Sequence, residues 1–256
     1  VKPRTLILRT AGTNCDQETA YAFELAGATS QRVHLNQLIE NPSLIGDYQL
    51  MAIPGGFSYG DDIAAGRIFA NQIMHHLRDA FYAFVEAGKP IIGICNGFQV
   101  LVKTDLIPGP IGGACGQTAT LTHNDSGRFI CRWVGLKPVS QKCIWTRGLG
   151  PIELPIAHGE GKFVPASESV RQALHANDQI ALVYDGENPN GSVDAIAGIC
   201  DPSGVVLGLM PHPERHVRQD QHPAWTRRGL FSKPGDGFNI FRNAVLYAEG
   251  RTGVGV

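Results

Sequence analysis

The pentapeptide Gly93-Ile94-Cys95-Asn96-Gly97 places a thiol between two glycines, after the apolar run Pro90 to Ile94 and before a helical pattern from Phe98 to Val102. A cysteine at such a strand-to-helix turn is the thiol form of the nucleophile elbow. Glycines on both sides permit a sharp backbone turn. The start of a helix also favours thiolate over thiol, and the thiolate is the attacking species. Alone, the pentapeptide fits equally well a small hydrophobe buried at a strand end.

A second constellation changes that balance. Met210-Pro211-His212-Pro213-Glu214-Arg215 follows the apolar run Val205 to Leu209, which puts His212 at a strand end. The flanking prolines disfavour helix and predict extended backbone, in which residues two apart face the same side. Thiol attack on an amide needs a base that takes a proton and returns it to the leaving nitrogen, and that imidazole needs a carboxylate to fix its tautomer. Cys95, His212 and Glu214 are the right types for nucleophile, base and orienter.

Two competing patterns carry less. Gly56-Phe57-Ser58-Tyr59-Gly60 matches the G-x-S-x-G of serine hydrolases, but Pro54-Gly55-Gly56 lengthens the exit from its strand, and Asp61, Asp62 and Gly66 delay the helix. Ser58 is therefore expected to be a loop residue. Backbone N–H groups at Gly56 and Phe57, with that of Asn96, are candidates for holding the oxyanion of a tetrahedral intermediate. His212 and His216 stand in the order H-P-E-R-H rather than H-E-x-x-H, which does not suit zinc. No metal ligand is assigned.

The elements that must position these residues follow an alternating pattern. Thr5 to Leu8, Gln31 to Leu35, Gln49 to Ile53 and Pro90 to Ile94 read as strands. Asp16 to Ala26, Ile68 to Ala87 and Phe98 to Val102 have helical spacing, with Gly27 and Gly88-Lys89-Pro90 as stops. This alternation predicts a parallel sheet covered by helices. Beyond about Gly112, apolar runs at 119–122, 129–134, 152–157, 180–184, 196–200 and 205–210 predict a mixed, partly antiparallel extension, and Phe238 to Ala248 a last helix. His216 to Asp236 reads as an irregular surface loop and a candidate partner surface. Asp185 to Gly191 is a dense turn cluster.

The 256 residues are expected to form a single domain, 1–256. A net charge of −1 draws the chain to neither nucleic acid nor an anionic membrane. Six cysteines without a C-x-x-C pair suit a reducing cytoplasmic setting, and of these only Cys95 sits at an elbow, so the other five are not expected to do chemistry. Val1 to Arg4 lead into a strand rather than a signal peptide, and no apolar run reaches the roughly 18 residues of a membrane span.

Together with Gly12-Thr13-Asn14-Cys15-Asp16 and Gly55-Gly56-Phe57-Ser58-Tyr59-Gly60-Asp61, the two constellations resemble class I glutamine amidotransferases, specifically the glutaminase subunits of phosphoribosylformylglycinamidine synthase. Asn188-Pro189-Asn190-Gly191-Ser192, Ile196 to Ile199 and Phe241-Arg242-Asn243 extend the likeness over nearly the whole chain. The resemblance implies a flavodoxin-like α/β domain with Cys95, His212 and Glu214 as triad, glutamine as substrate, Gln99 helping to hold it, and a pocket strand around Arg128 and Phe129. It also implies a separate synthetase subunit that uses ATP and magnesium to convert formylglycinamide ribonucleotide to the amidine, with a small bridging protein. This chain itself has no G-x-x-x-x-G-K-[ST] and is expected to carry no cofactor. Asp62-Ile63-Ala64-Ala65 departs from the bulkier sequence usual in that family. The alternatives are a hydrolase built on Ser58 and a degenerate amidotransferase-like binding module.

Overall fold

The computed structural model describes residues 2–61, 63–110, 116–229 and 233–250; Asp62 and Cys115 lie outside them. Strand β1 (Arg4–Arg9) leads to helix α1 (Asp16–Ala26), β2 (Thr29–His34), α2 (Leu35–Glu40) and β3 (Leu50–Ile53). Two helices, α3 (Arg67–His76) and α4 (Arg78–Glu86), precede β4 (Ile91–Ile94) and α5 (Asn96–Lys103). Then come β5 (Ala119–Thr122), β6 (Ile130–Pro138), β7 (Ile152–His158), β8 (Lys162–Pro165) and α6 (Glu168–Ala176). The chain closes with β9 (Ile180–Asp185), β10 (Ile196–Cys200), β11 (Val206–Leu209), α7 (Trp225–Arg228) and α8 (Phe238–Ala248).

Nine strands form one sheet in the order β2-β1-β3-β4-β11-β10-β9-β6-β7. The first five run parallel in the flavodoxin-like order 2-1-3-4-5 if β11 is counted as the fifth. The rest pair antiparallel, as the change of rhythm after Gly112 predicted. Every residue of β3, β4 and β11 is buried, which is why these strands read as unbroken apolar runs instead of alternating ones. The antiparallel pair β5–β8 stands apart from the main sheet.

Three expectations need correction. The helical stretch 68–87 is two helices, separated at Leu77 (φ −128°, ψ 7°). Phe69 and Ile73 of α3 and Phe81 and Phe84 of α4 are all buried, α3 packing on α5 and α4 on the turn Pro42–Asp47. Two apolar faces with different partners are served by a bend, although no proline or glycine lies at Leu77. Second, 216–236 is not simply a surface loop: among its described residues His216, Val217 and His222 are buried, the two imidazoles against Trp133 of β6. Third, α2, α6 and β8 had no counterpart in the periodicity. Ser167 caps α6 by accepting the Val170 N–H (3.3 Å).

Candidate active site

Cys95 lies between the C-terminal end of β4 and the start of α5, with φ 52° and ψ −104°. A non-glycine residue rarely takes that conformation, and its neighbours hold it there. The flanking glycines are required for space: a Cβ on Gly97 would sit 1.8 Å from the Ile53 carbonyl oxygen, and one on Gly93 would sit 2.5 Å from that of Gly97. The strain thus rests on the cysteine itself, while the glycines let α5 press against β3 and β4.

His212 stands just past β11, beside β4, and its N–H donates to the Pro155 carbonyl (2.8 Å). The expected extended segment is instead a 3₁₀ turn, Pro213–His216, with Pro213 in the first turn, where its missing N–H costs nothing. His212 Nδ1 still meets Glu214 Oε1 at 2.6 Å, and both side chains are buried. A carboxylate only accepts, so Nδ1 carries the proton and Nε2 is left for the thiols. Burial alone would push the His212 ring toward neutrality, but the charges of Glu214 and Cys95 outweigh it and hold its pKa well above the ordinary value. The arrangement favours a protonated ring beside the nucleophile.

The side chains of Cys95 and Cys15 both approach His212. Cys15 sits just before α1, and Arg215 crosses to it, with Nη2 donating to Sγ (3.1 Å) and Nε to Glu18 (2.8 Å). Burial pushes the Cys15 thiol up. Ligand atoms of Cys15, His212 and Glu214 lie within 4.8 Å of one another. However, the guanidinium beside Cys15 opposes a cation.

A cavity of about 130 Å³ opens onto Cys95, lined among others by Gly56, Phe57, Asp61, Gln99, Phe129, His158 and Glu160. The Phe57 and Phe129 rings are 6.4 Å apart and largely exposed. Asn96 joins the walls: its Oδ1 accepts the Ser58 N–H (3.2 Å) and its Nδ2 donates to Gln99 Oε1 (2.9 Å), whose Nε2 donates to the Glu160 carbonyl (2.7 Å). Gln99 therefore shapes the wall with both ends of its amide already paired. Arg128 is exposed at the turn before Phe129 and does not line the cavity. The Phe57 N–H, expected to face an oxyanion, donates to the Gly12 carbonyl (2.9 Å). Its contribution to an oxyanion hole requires that this peptide turn.

Ser58 has neither an elbow nor, among the described residues, a base bonded to it. It opens a 3₁₀ turn containing Tyr59 (φ 55°) and Gly60 (φ 72°), and its buried Oγ has no hydrogen-bond partner among the described residues. The residue that the motifs missed is His158, at the end of β7. It is buried in the cavity wall, and burial together with the nearby His212 pushes its pKa down to about 4. The available signal was a histidine closing the apolar run Ile152–Ala157 before Gly159-Glu160-Gly161.

Residues 2–248 match the model of the CobB/CobQ-like glutamine amidotransferase domain. The chain is 50% identical to phosphoribosylformylglycinamidine synthase subunit PurQ of Dehalococcoides mccartyi, over 97% of this chain and 98% of that one. It is 46% identical to the protein of the same name from Treponema denticola, over 85% and 89%. Its fold is similar to a chain in the structure of PurLQS from Thermotoga maritima, with a TM-score of 0.75 and 32% identity, over 96% of this chain and 99% of that one. With the likeness covering nearly its full length, this chain belongs to the family of CobB/CobQ-like glutamine amidotransferase domains.

Proposed function

We propose that this chain, acting as one domain over residues 1–256, is the glutaminase component of phosphoribosylformylglycinamidine synthase. The observation that carries the chemistry is the strained Cys95, which opens on the cavity and has behind it an imidazole bonded to a buried carboxylate at 2.6 Å. The Cys95 thiolate attacks the side-chain carbonyl carbon of glutamine, and His212 gives its proton to the departing nitrogen, so that ammonia leaves and a thioester remains. Water, deprotonated by His212, then attacks the thioester. Glutamate departs and the thiol is restored. Glu214 keeps the His212 tautomer correct throughout. The N–H of Asn96, at the start of α5, and that of Gly56 are the donors for the oxyanion.

The relatives' names support a synthetase partner, and the sequence offers no phosphate loop of its own. ATP and magnesium belong to that partner, with a small bridging subunit completing the complex. Ammonia in neutral water becomes ammonium, which is not a nucleophile, so hydrolysis is useful only when coupled to a sheltered acceptor. The Phe57–Gly12 hydrogen bond supports such coupling: partner docking turns the Phe57 peptide and completes the oxyanion hole. Cytoplasmic location is part of this proposal. It is supported by the five free cysteines among the described residues, and no helix there is long and apolar enough to cross a membrane.

The test is glutamine turnover by the chain alone and with its synthetase partner, ATP and the ribonucleotide. Turnover is expected to rise sharply in the full mixture. Cys95→Ala is expected to abolish product formation from glutamine and to leave that from ammonium salts intact. Full activity in the isolated chain sinks the coupling, and loss of the ammonium-driven reaction sinks the division of labour.

A further inference from the structure

His158 is held by a network whose donors and acceptors can be assigned in full. Asn124, itself buried, donates through Nδ2 to two carbonyls, those of Arg128 and His158 (both 2.9 Å). Its Oδ1 must then be the acceptor, and it takes the Gly161 N–H (3.1 Å) and His158 Nδ1 (3.0 Å). Nδ1 therefore carries the hydrogen, and Nε2 carries a lone pair. That nitrogen is buried and has no hydrogen-bond partner among the described residues.

The ring is also locked in place. It lies over Gly161, where a Cβ would come within 2.2 Å of His158 Cε1. The Gly161 carbonyl is in turn bound by Asn190 Nδ2 (2.8 Å) and Ser192 Oγ (3.4 Å). The turn cluster around Asn190 thus acquires a role: it fixes the floor beneath His158. An isolated acceptor held this firmly costs stability unless something donates to it.

His158 lines the same cavity as Cys95, and the preceding residue's carbonyl, that of Ala157, is 3.7 Å from Cys95 Sγ. The strand end that carries His158 therefore passes beside the reacting thiol, and His212 lies near its ring. Asp61 and Glu160 also line the cavity and are carboxylates suited to an α-ammonium group, which leaves His158 for the side-chain amide. We infer that His158 Nε2 accepts a hydrogen bond from the carboxamide N–H of glutamine, and so selects the amide substrate over the carboxylate product. An ionised glutamate side chain offers only acceptors and would face the lone pair unpaired, which favours its release. This inference rests on the glutaminase reading proposed above.

The experiment measures kcat and KM for glutamine and the inhibition constant of glutamate in the assembled enzyme with ATP and ribonucleotide. Wild type, His158→Phe and His158→Gln are compared. Loss of the acceptor in His158→Phe is expected to lower the ratio of glutamate inhibition constant to glutamine KM by about tenfold to a hundredfold. His158→Gln, which keeps an acceptor oxygen, is expected to restore most of the ratio. An unchanged ratio in a His158→Phe protein that still melts cooperatively and is alkylated at Cys95 by an electrophilic glutamine analogue overturns the inference. So does a fall in kcat alone.

A second readout does not depend on substituting His158. Nitrogen NMR of ¹⁵N-histidine-labelled Cys95→Ala protein should show His158 protonated at Nδ1, with an Nε2 signal that moves on adding glutamine but not glutamate. A ring protonated at Nε2, or an equal response to both ligands, overturns it. Failure of the wild-type enzyme to hydrolyse glutamine would instead sink the glutaminase reading itself.

Discussion

At the scale of single residues, the site divides into groups whose removal should give different failures. Cys95 bonds to the substrate, so Cys95→Ala is expected to remove glutamine turnover completely while the fold, measured by thermal melting, persists. Ser58 has a buried hydroxyl with no hydrogen-bond partner among the described residues, and Ser58→Ala should keep most of the turnover in the same assay. Glu214 acts through His212, whose Nδ1 it holds at 2.6 Å. Glu214→Gln presents an amide in place of that acceptor and disturbs the tautomer, with an expected loss in kcat of up to about four orders of magnitude. Its Cys95 should still react with an electrophilic glutamine analogue, at a reduced rate. Full turnover in that variant would take Glu214 out of the mechanism.

Elements act through their fit, and the elbow shows how little room exists. Three carboxyl-terminal strand ends, of β3, β4 and β11, carry the cavity loop, the nucleophile and the base respectively. They are adjacent in the parallel part of the sheet, where open α/β sheets bind ligands. The close approach of α5 to β3 depends on Gly97, since a Cβ there would overlap the Ile53 carbonyl at 1.8 Å. Gly97→Ala must displace a buried strand or helix. The expected cost is at least about 3 kcal/mol, read as a drop in the denaturation midpoint, because backbone cannot yield as a core side chain does. An unaltered midpoint would mean that the elbow is more pliant than its packing indicates.

Across the whole molecule, His158 links the site to stability. Its folded pKa, about 4, is depressed below the ordinary 6.5, so the unfolded chain binds the proton more readily. The sign follows: the neutral ring costs no proton-linked stability above pH 6.5, and native stability is lost as pH falls from 6.5 toward about 4. The full difference is on the order of 3 kcal/mol. Between pH 6.5 and about 4 the melting temperature of the wild type should fall more steeply than that of His158→Phe. Parallel curves would show that the ring titrates normally.

Local order was legible in the sequence wherever neighbouring residues settle it. The β4–α5 elbow, α1 with its Gly27 stop and α8 depend on residue spacing and on glycine chemistry, and they lie where the sequence put them. The buried strands were found because both their faces are apolar. The order of the strands, the bend at Leu77 and the burial of His216 and His222 depend on which surfaces meet, and spacing along the chain does not encode that. The triad's types were visible, but the 3₁₀ turn that joins His212 to Glu214 was not, because prolines are compatible with a helix's first turn as well as with a strand. His158 and Cys15 became neighbours of the site only when β7 and the start of α1 converged on β4. Contacts across that distance in sequence are decided by packing, and only the tertiary structure could bring an acceptor nitrogen, a second thiol and the nucleophile together.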